Sequence, residues 1–209
     1  MQMLQAQAPL WRRVFGAAWA ALFGAVLVLM SVKLHETAVD GYRMLSPLRL
    51  AISLPVVFAT FLLAKALMRL HPAFRWKPSD LLFGKRIGAA DSSLMVVALR
   101  VPVLGPFVAL LLLMNLPTIA MLEEFIFRQD TSGWGGAAVR SLLFGLAHLA
   151  TNVPLGASIA IGGTGLWFSW WYFRGGIALS GAMHLAYILP IVSLVLLGLA
   201  IEAWKRRRP

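Results

Sequence analysis

Val14 to Val32 carries no charged side chain, and neither does Ser141 to Phe173 or Ile177 to Ile201. About 20 consecutive apolar residues are what one helix needs to cross the hydrocarbon of a bilayer. Runs of this kind constrain the fold more than any motif in the chain. Composition agrees, since 60% of the 209 residues are hydrophobic and 13% charged, against roughly a half and a quarter in soluble domains. The expectation is an all-α, polytopic integral membrane bundle of about six helices, in the range six to eight, forming a single domain over residues 1–209.

The formal net charge of +11 raises the question of nucleic acid. A nucleic-acid binder gathers its basic residues on one soluble face, with aromatic side chains among them. Here they stand at the ends of apolar runs, at Arg12-Arg13, from Lys65 to Arg86 and from Lys205 to Arg208. That is the distribution of the positive-inside rule. It excludes nucleic acid as a partner, makes the lipid bilayer one, and puts both termini on the cytoplasmic side, with a bacterial cytoplasmic membrane as the expected location. The absence of cysteine rules out a disulfide framework, a thiol nucleophile and a thiolate metal site.

Taken in order, the chain predicts an uncleaved first span over Val14–Val32, a short mixed-charge connector from Lys33 to Arg49, and a second span over Leu50–Met68. Arg69 to Asp91 reads as a cytoplasmic loop, marked by Pro72, Pro78, Gly84 and Gly88, with room for a short interfacial helix. Ser92 to Leu122 is interrupted by Arg100, Pro102, Gly105-Pro106 and Pro117. The expected solution is a helix over roughly Val101–Asn115 and a further helix that Pro117 opens at its first turn. Asp130 to Gly136 is a turn, Pro154-Gly156 divides two helices, Arg174-Gly175-Gly176 punctuates, and Pro190 is a possible kink in the last run.

Against this background the polar groups inside apolar runs carry the information. Glu123-Glu124 closes an uncharged run, and Arg128 follows one helical turn after Glu124. Charge near hydrocarbon is costly, so acids retained there have a task or a partner. Neighbouring positions on a helix point about 100° apart, which divides the two acids. Glu124 and Arg128 share a face and can pair, leaving Glu123 for chemistry. His148 and His184 are the mid-span histidines, and Asn152 lies one turn past His148. Gly145, Ala147, Gly181 and Ala182 beside them allow close helix approach. A carboxylate and an imidazole in one cavity can deprotonate a water, and a second imidazole can donate to a developing oxyanion.

These residues resemble the motifs of the CPBP family, the intramembrane proteases that include the CAAX prenyl endopeptidases and bacteriocin-processing or immunity proteins. The family pattern is EExxxR, then FxxxH, then HxxxN. Glu123-Glu124-Phe125-Ile126-Phe127-Arg128 matches the first, Phe144 to His148 the second, and His184 the head of the third. The resemblance covers roughly Leu111 to Leu197. It implies an endopeptidase acting on a peptide or protein substrate at the membrane, with Glu123 and His148 activating the attacking water and His184 stabilising the oxyanion. Glu124 and Arg128 would hold the helix, with Phe144 and Asn152 in support. The family is often labelled a metalloprotease family, and Glu123, His148 and His184 would be the ligands of a divalent metal such as zinc. A glutamate–histidine mechanism without metal accounts for the same residues.

The chain departs from the pattern at Ile188, which stands where the family has asparagine. Losing one oxyanion donor costs on the order of a hundredfold in rate. Asn152 is the candidate substitute. The alternative implied by Ile188 is a catalytically weak or inactive relative acting as a membrane immunity or scaffold protein.

Overall fold

The computed structural model describes residues 10–78, Leu99 and residues 104–206. The fold is helical, with no strand among the described residues. The elements are α1 (Leu10–Lys33), α2 (His35–Arg43), α3 (Pro47–Leu70), a 3-10 turn (Pro72–Arg75), α4 (Leu104–Arg128), α5 (Trp134–Ala147), a second 3-10 turn (His148–Thr151) and α6 (Leu155–Arg206). Three helices, α3, α4 and α6, are long and apolar enough to cross a membrane; α1 contributes the shorter apolar stretch Ala17–Val32. The expected interruptions at Arg100 and Pro102, the helix start at Val101, the loop markers Gly84 and Gly88, and the terminal Arg207 and Arg208 lie outside the described residues.

Local chemistry explains most boundaries. Ser46 opens α3 by accepting a hydrogen bond from the Arg49 backbone N–H at 3.3 Å, and Pro47 occupies the first turn, where a missing N–H costs nothing. Pro154 precedes α6, as the sequence anticipated. α6 is two helices in one. Gly175 (φ −153°) and Gly176 (φ +66°) are non-helical, and the second is a conformation that side chains with a Cβ rarely adopt. The chain folds back there. Ser180 Oγ lies 3.0 Å from the Phe168 carbonyl oxygen, a separation that a straight helix would stretch to about 18 Å. The halves 155–174 and 177–206 therefore pack antiparallel.

Two expectations are corrected. The connector between the first spans contains the nine-residue helix α2. Pro117 does not start a helix; α4 runs through it without a break. The reason is tertiary. Proline removes the N–H that would serve the carbonyl of Leu113, and the Tyr42 hydroxyl donates to that carbonyl instead.

Large apolar side chains face outward while several polar groups lie inside. Phe58, Phe61, Phe107, Leu110 and Leu197 are exposed, whereas Asn115, Ser141, Ser158 and Ser180 are buried. This suits hydrocarbon surroundings, because Asn115, Ser141 and Ser180 find partners inside the bundle. The Asn115 amide nitrogen reaches the Leu27 carbonyl at 3.1 Å, Ser31 Oγ at 2.7 Å and the Leu111 carbonyl at 2.8 Å, tying α1 to α4. Gly145 lets α5 approach α6 closely, since a Cβ there would stand 2.6 Å from the Gly162 backbone nitrogen.

Candidate functional site

The site forms where the C-terminal turns of α4 meet the second half of α6. Glu123 and Glu124 leave α4 in different directions, with opposite consequences for exposure. Glu124 is fully buried, whereas the Glu123 side chain keeps 28% of its surface. Arg128, one turn after Glu124, is also fully buried, with Nε 3.5 Å from Glu124 Oε2. The division of the acids expected from helix geometry holds. It stops short in one respect, because a single residue touches both.

That residue is His184. Its Nδ1 stands 2.9 Å from Glu124 Oε1 and its Nε2 stands 3.3 Å from Glu123 Oε2. A carboxylate only accepts, so the proton on Nδ1 is directed at Glu124. Placing a proton between Nε2 and Glu123 Oε2 turns a contact between two electron pairs into an attractive one. Glu124 thus anchors one end of the imidazole, and the other end is coupled to Glu123. The ring plane is also held. Phe168 stacks flat on His184 with centroids 4.3 Å apart and planes at 23°, and the Phe144 edge contacts it at 5.5 Å.

Arg128 is packed by the same aromatics. Its guanidinium carbon lies 4.4 Å from the Phe144 centroid and 5.6 Å from that of Phe168, and Nη2 donates to the Gly165 carbonyl at 3.2 Å. Cation–π attraction is strongest where water is excluded, as here. Two carboxylates, one guanidinium and one imidazole therefore form a single cluster walled by Phe144 and Phe168.

The structure brings together Glu123, Glu124, Arg128 and His184, with Phe144 as a shared wall. It does not bring His148 within hydrogen-bond or ion-pair distance of the two acids, Arg128 or His184. His148 is not within a span; it ends α5 and begins the 3-10 turn His148–Thr151. Its ring packs against Phe144 at 4.9 Å, and Nδ1 lies 2.9 Å from the Phe144 carbonyl oxygen. A carbonyl accepts, so Nδ1 donates and the Nε2 lone pair is left as a base. Asn152 is not one helical turn further on; it sits beyond the turn in the left-handed conformation at φ +64°, which asparagine tolerates better than most residues. Ile188 packs into the apolar clusters on both sides of its helix.

Sequence reasoning gave no part to Ser180 or Phe168. The Ser180 hydroxyl is hydrogen-bonded to Glu124. Its spacing of four before His184 was a usable signal, because such residues share a helix face. Phe168 carried no signal, as it reaches His184 only through the hairpin.

A zinc centre needs three or more converging donors. Among the described residues no group of His, Asp and Glu is placed to hold a metal ion, and His184 directs both ring nitrogens at carboxylates. Glu123, His148 and His184 are not gathered into a ligand set in this arrangement.

No protein-family model matches the chain, and no curated protein or solved structure matches it.

Proposed function

We propose that the chain is an intramembrane endopeptidase that hydrolyses peptide bonds of membrane-associated substrates through a water activated by Glu123 and a histidine. The observation that carries the proposal is His184 held between two carboxylates inside an apolar bundle. A purely structural ion pair needs only Glu124 and Arg128. The second acid, partly exposed and coupled to an imidazole already anchored at its far nitrogen, is the arrangement of a general base.

In this mechanism Glu123 takes a proton from water as the hydroxide adds to the scissile carbonyl carbon. The proton is shared with His184 Nε2 and reaches the leaving nitrogen as the C–N bond breaks. His148, with its Nε2 lone pair free of the Phe144 carbonyl, is a second base at the rim. His184 supplies the oxyanion role implied by the resemblance only by turning a nitrogen away from a carboxylate. In this reading the chain is a multi-pass bundle of six helices, α1, α3, α4, α5 and the two halves of α6, supported by the three helices α3, α4 and α6 that are long and apolar enough to cross a membrane. On the positive-inside rule the basic clusters at both ends support a cytoplasmic side for both termini.

The test is cleavage of a membrane-tethered peptide by protein reconstituted in vesicles. Glu123→Ala and His184→Ala should each abolish cleavage, and activity surviving in both variants rules the mechanism out.

Ile188 favours a second reading, a non-catalytic membrane protein conferring immunity or scaffolding a partner. The side chain there offers no hydrogen bond, and Asn152 sits in its own turn beyond α5. A parent protein that cleaves robustly sinks this reading.

A further inference from the structure

We infer that Ser180 is a positioning residue for His184, acting through Glu124. The inference rests on the hydrolytic reading above and concerns what holds the imidazole in its working orientation.

Ser180 and His184 stand at i and i+4 on the second half of α6, so they share a face. Both meet Glu124 from that face, one at each carboxylate oxygen. The Ser180 hydroxyl is bonded to Oε2, and His184 Nδ1 lies 2.9 Å from Oε1. The terminal torsion of a glutamate is broad and two-fold, so a carboxylate held at one oxygen does not fix the direction of the other. Arg128 does not supply the missing restraint. It approaches Oε2 at 3.5 Å from the same helix as Glu124, a distance for Coulomb attraction rather than a directed hydrogen bond.

Ser180 has a second acceptor within reach, which its one proton serves only in alternation with Glu124. Its Oγ lies 3.0 Å from the carbonyl oxygen of Phe168, the residue whose ring is stacked on His184 at 4.3 Å. One hydroxyl thus touches both things that orient the imidazole: the carboxylate that anchors its Nδ1 and the residue that lies on its face. Ser180 is fully buried, and a hydroxyl has only one proton to give. Water cannot take its place without room being made. The Gly175–Gly176 turn brings the two halves of α6 together, so this restraint depends on the hairpin.

Without the hydroxyl, Glu124 Oε2 loses its directed donor, and the Nδ1–H form of His184 is no longer uniquely favoured. Binding of substrate does not involve Ser180, so the loss falls on kcat. Orienting partners of a functional histidine are typically worth roughly 10- to 100-fold.

The experiment compares the full-length parent, Ser180→Ala, Ser180→Thr and His184→Gln in vesicles. Two readouts are taken: kcat and KM on a membrane-tethered peptide, and the ring ¹⁵N spectrum of His184, assigned by its loss in His184→Gln. The expected result is a kcat at least tenfold lower in Ser180→Ala with KM unchanged, recovery in Ser180→Thr, and a His184 spectrum that passes from one Nδ1–H form to a mixture of tautomers. A Ser180→Ala spectrum identical to the parent's overturns the inference. If Ser180→Ala does not fold, Ser180→Cys, a weaker donor of similar volume, takes its place with the same expectations. If no protein cleaves, the hydrolytic reading falls, and the spectra alone decide whether Ser180 sets the imidazole.

Discussion

Tyr42 donates its hydroxyl to the carbonyl of Leu113, the carbonyl that Pro117 leaves without a helical donor. Gly41, the preceding residue, lies against the Pro117 ring, and a Cβ there would collide with it. The short helix α2 therefore docks on Pro117 of α4, on the approach to Glu123. A helix that reads as broken in sequence is kept whole by a side chain 71 positions away.

Tyr42→Phe leaves that carbonyl orphaned and should cost about 1–3 kcal/mol, read as earlier unfolding in a detergent titration. The difference should depend on pH. Burial raises the Tyr42 hydroxyl above its ordinary value of 10.0, so the folded value exceeds the unfolded one. Its contribution is then complete below the ordinary tyrosine range and is lost as pH rises through the raised folded value. Parent and Tyr42→Phe should converge in stability under strongly alkaline conditions and differ at neutral pH.

How much of this was legible follows from the range of each interaction. The apolar runs of α3 and α6, the Pro154 break and the Gly175-Gly176 punctuation are local, and each appears where the sequence places it. The pairing of Glu124 with Arg128 is also local, fixed by one turn of helix. The continuity of α4 through Pro117 was not legible, because its cause lies in Tyr42. The contact of His184 with both acids depends on how α4 meets α6, and the stacking of Phe168 on His184 depends on the hairpin. His148 was misplaced for a different reason. Nothing apolar changes between Phe144 and Ala150, so the end of α5 has no mark in the pattern.

Glu124 and Arg128 test whether the buried charges act as a unit. Glu124→Ala strands a fully buried guanidinium and should destabilise the fold by about 3–5 kcal/mol. The double variant Glu124→Leu/Arg128→Met removes both charges and should recover most of that loss. Penalties that simply add in the double-mutant cycle would show that the two residues are not coupled.

Three glycines should respond differently to alanine. At Gly145 the added Cβ meets the Gly162 backbone at 2.6 and 2.7 Å, which must separate α5 from α6 at a cost of about 1–3 kcal/mol. At Gly176 there is open space, but φ is +66°, so the penalty is backbone strain of about 1–3 kcal/mol. At Gly181 the obstacle is the sulfur of Met121, the movable end of a flexible chain, and the variant should stay within about 1 kcal/mol of the parent. Unfolding midpoints of the three variants check the order.

Ile188→Asn separates the two functional readings. Ile188 packs against both apolar clusters, so the variant should lose stability by about 1–3 kcal/mol through a buried amide. If an oxyanion donor is what the chain lacks, cleavage per folded molecule should nevertheless rise, by on the order of tenfold or more. Unchanged cleavage would place the limit elsewhere.

The central claim is that Glu123 activates a water for attack on a peptide bond. The most direct measurement is cleavage of a membrane-tethered peptide in ¹⁸O-enriched water by the parent and by Glu123→Gln, both shown to be folded, with mass spectrometry of the product. The expected result is a new C-terminus carrying one ¹⁸O from the parent and no product from Glu123→Gln. Equal, ¹⁸O-labelled cleavage by both proteins would contradict it.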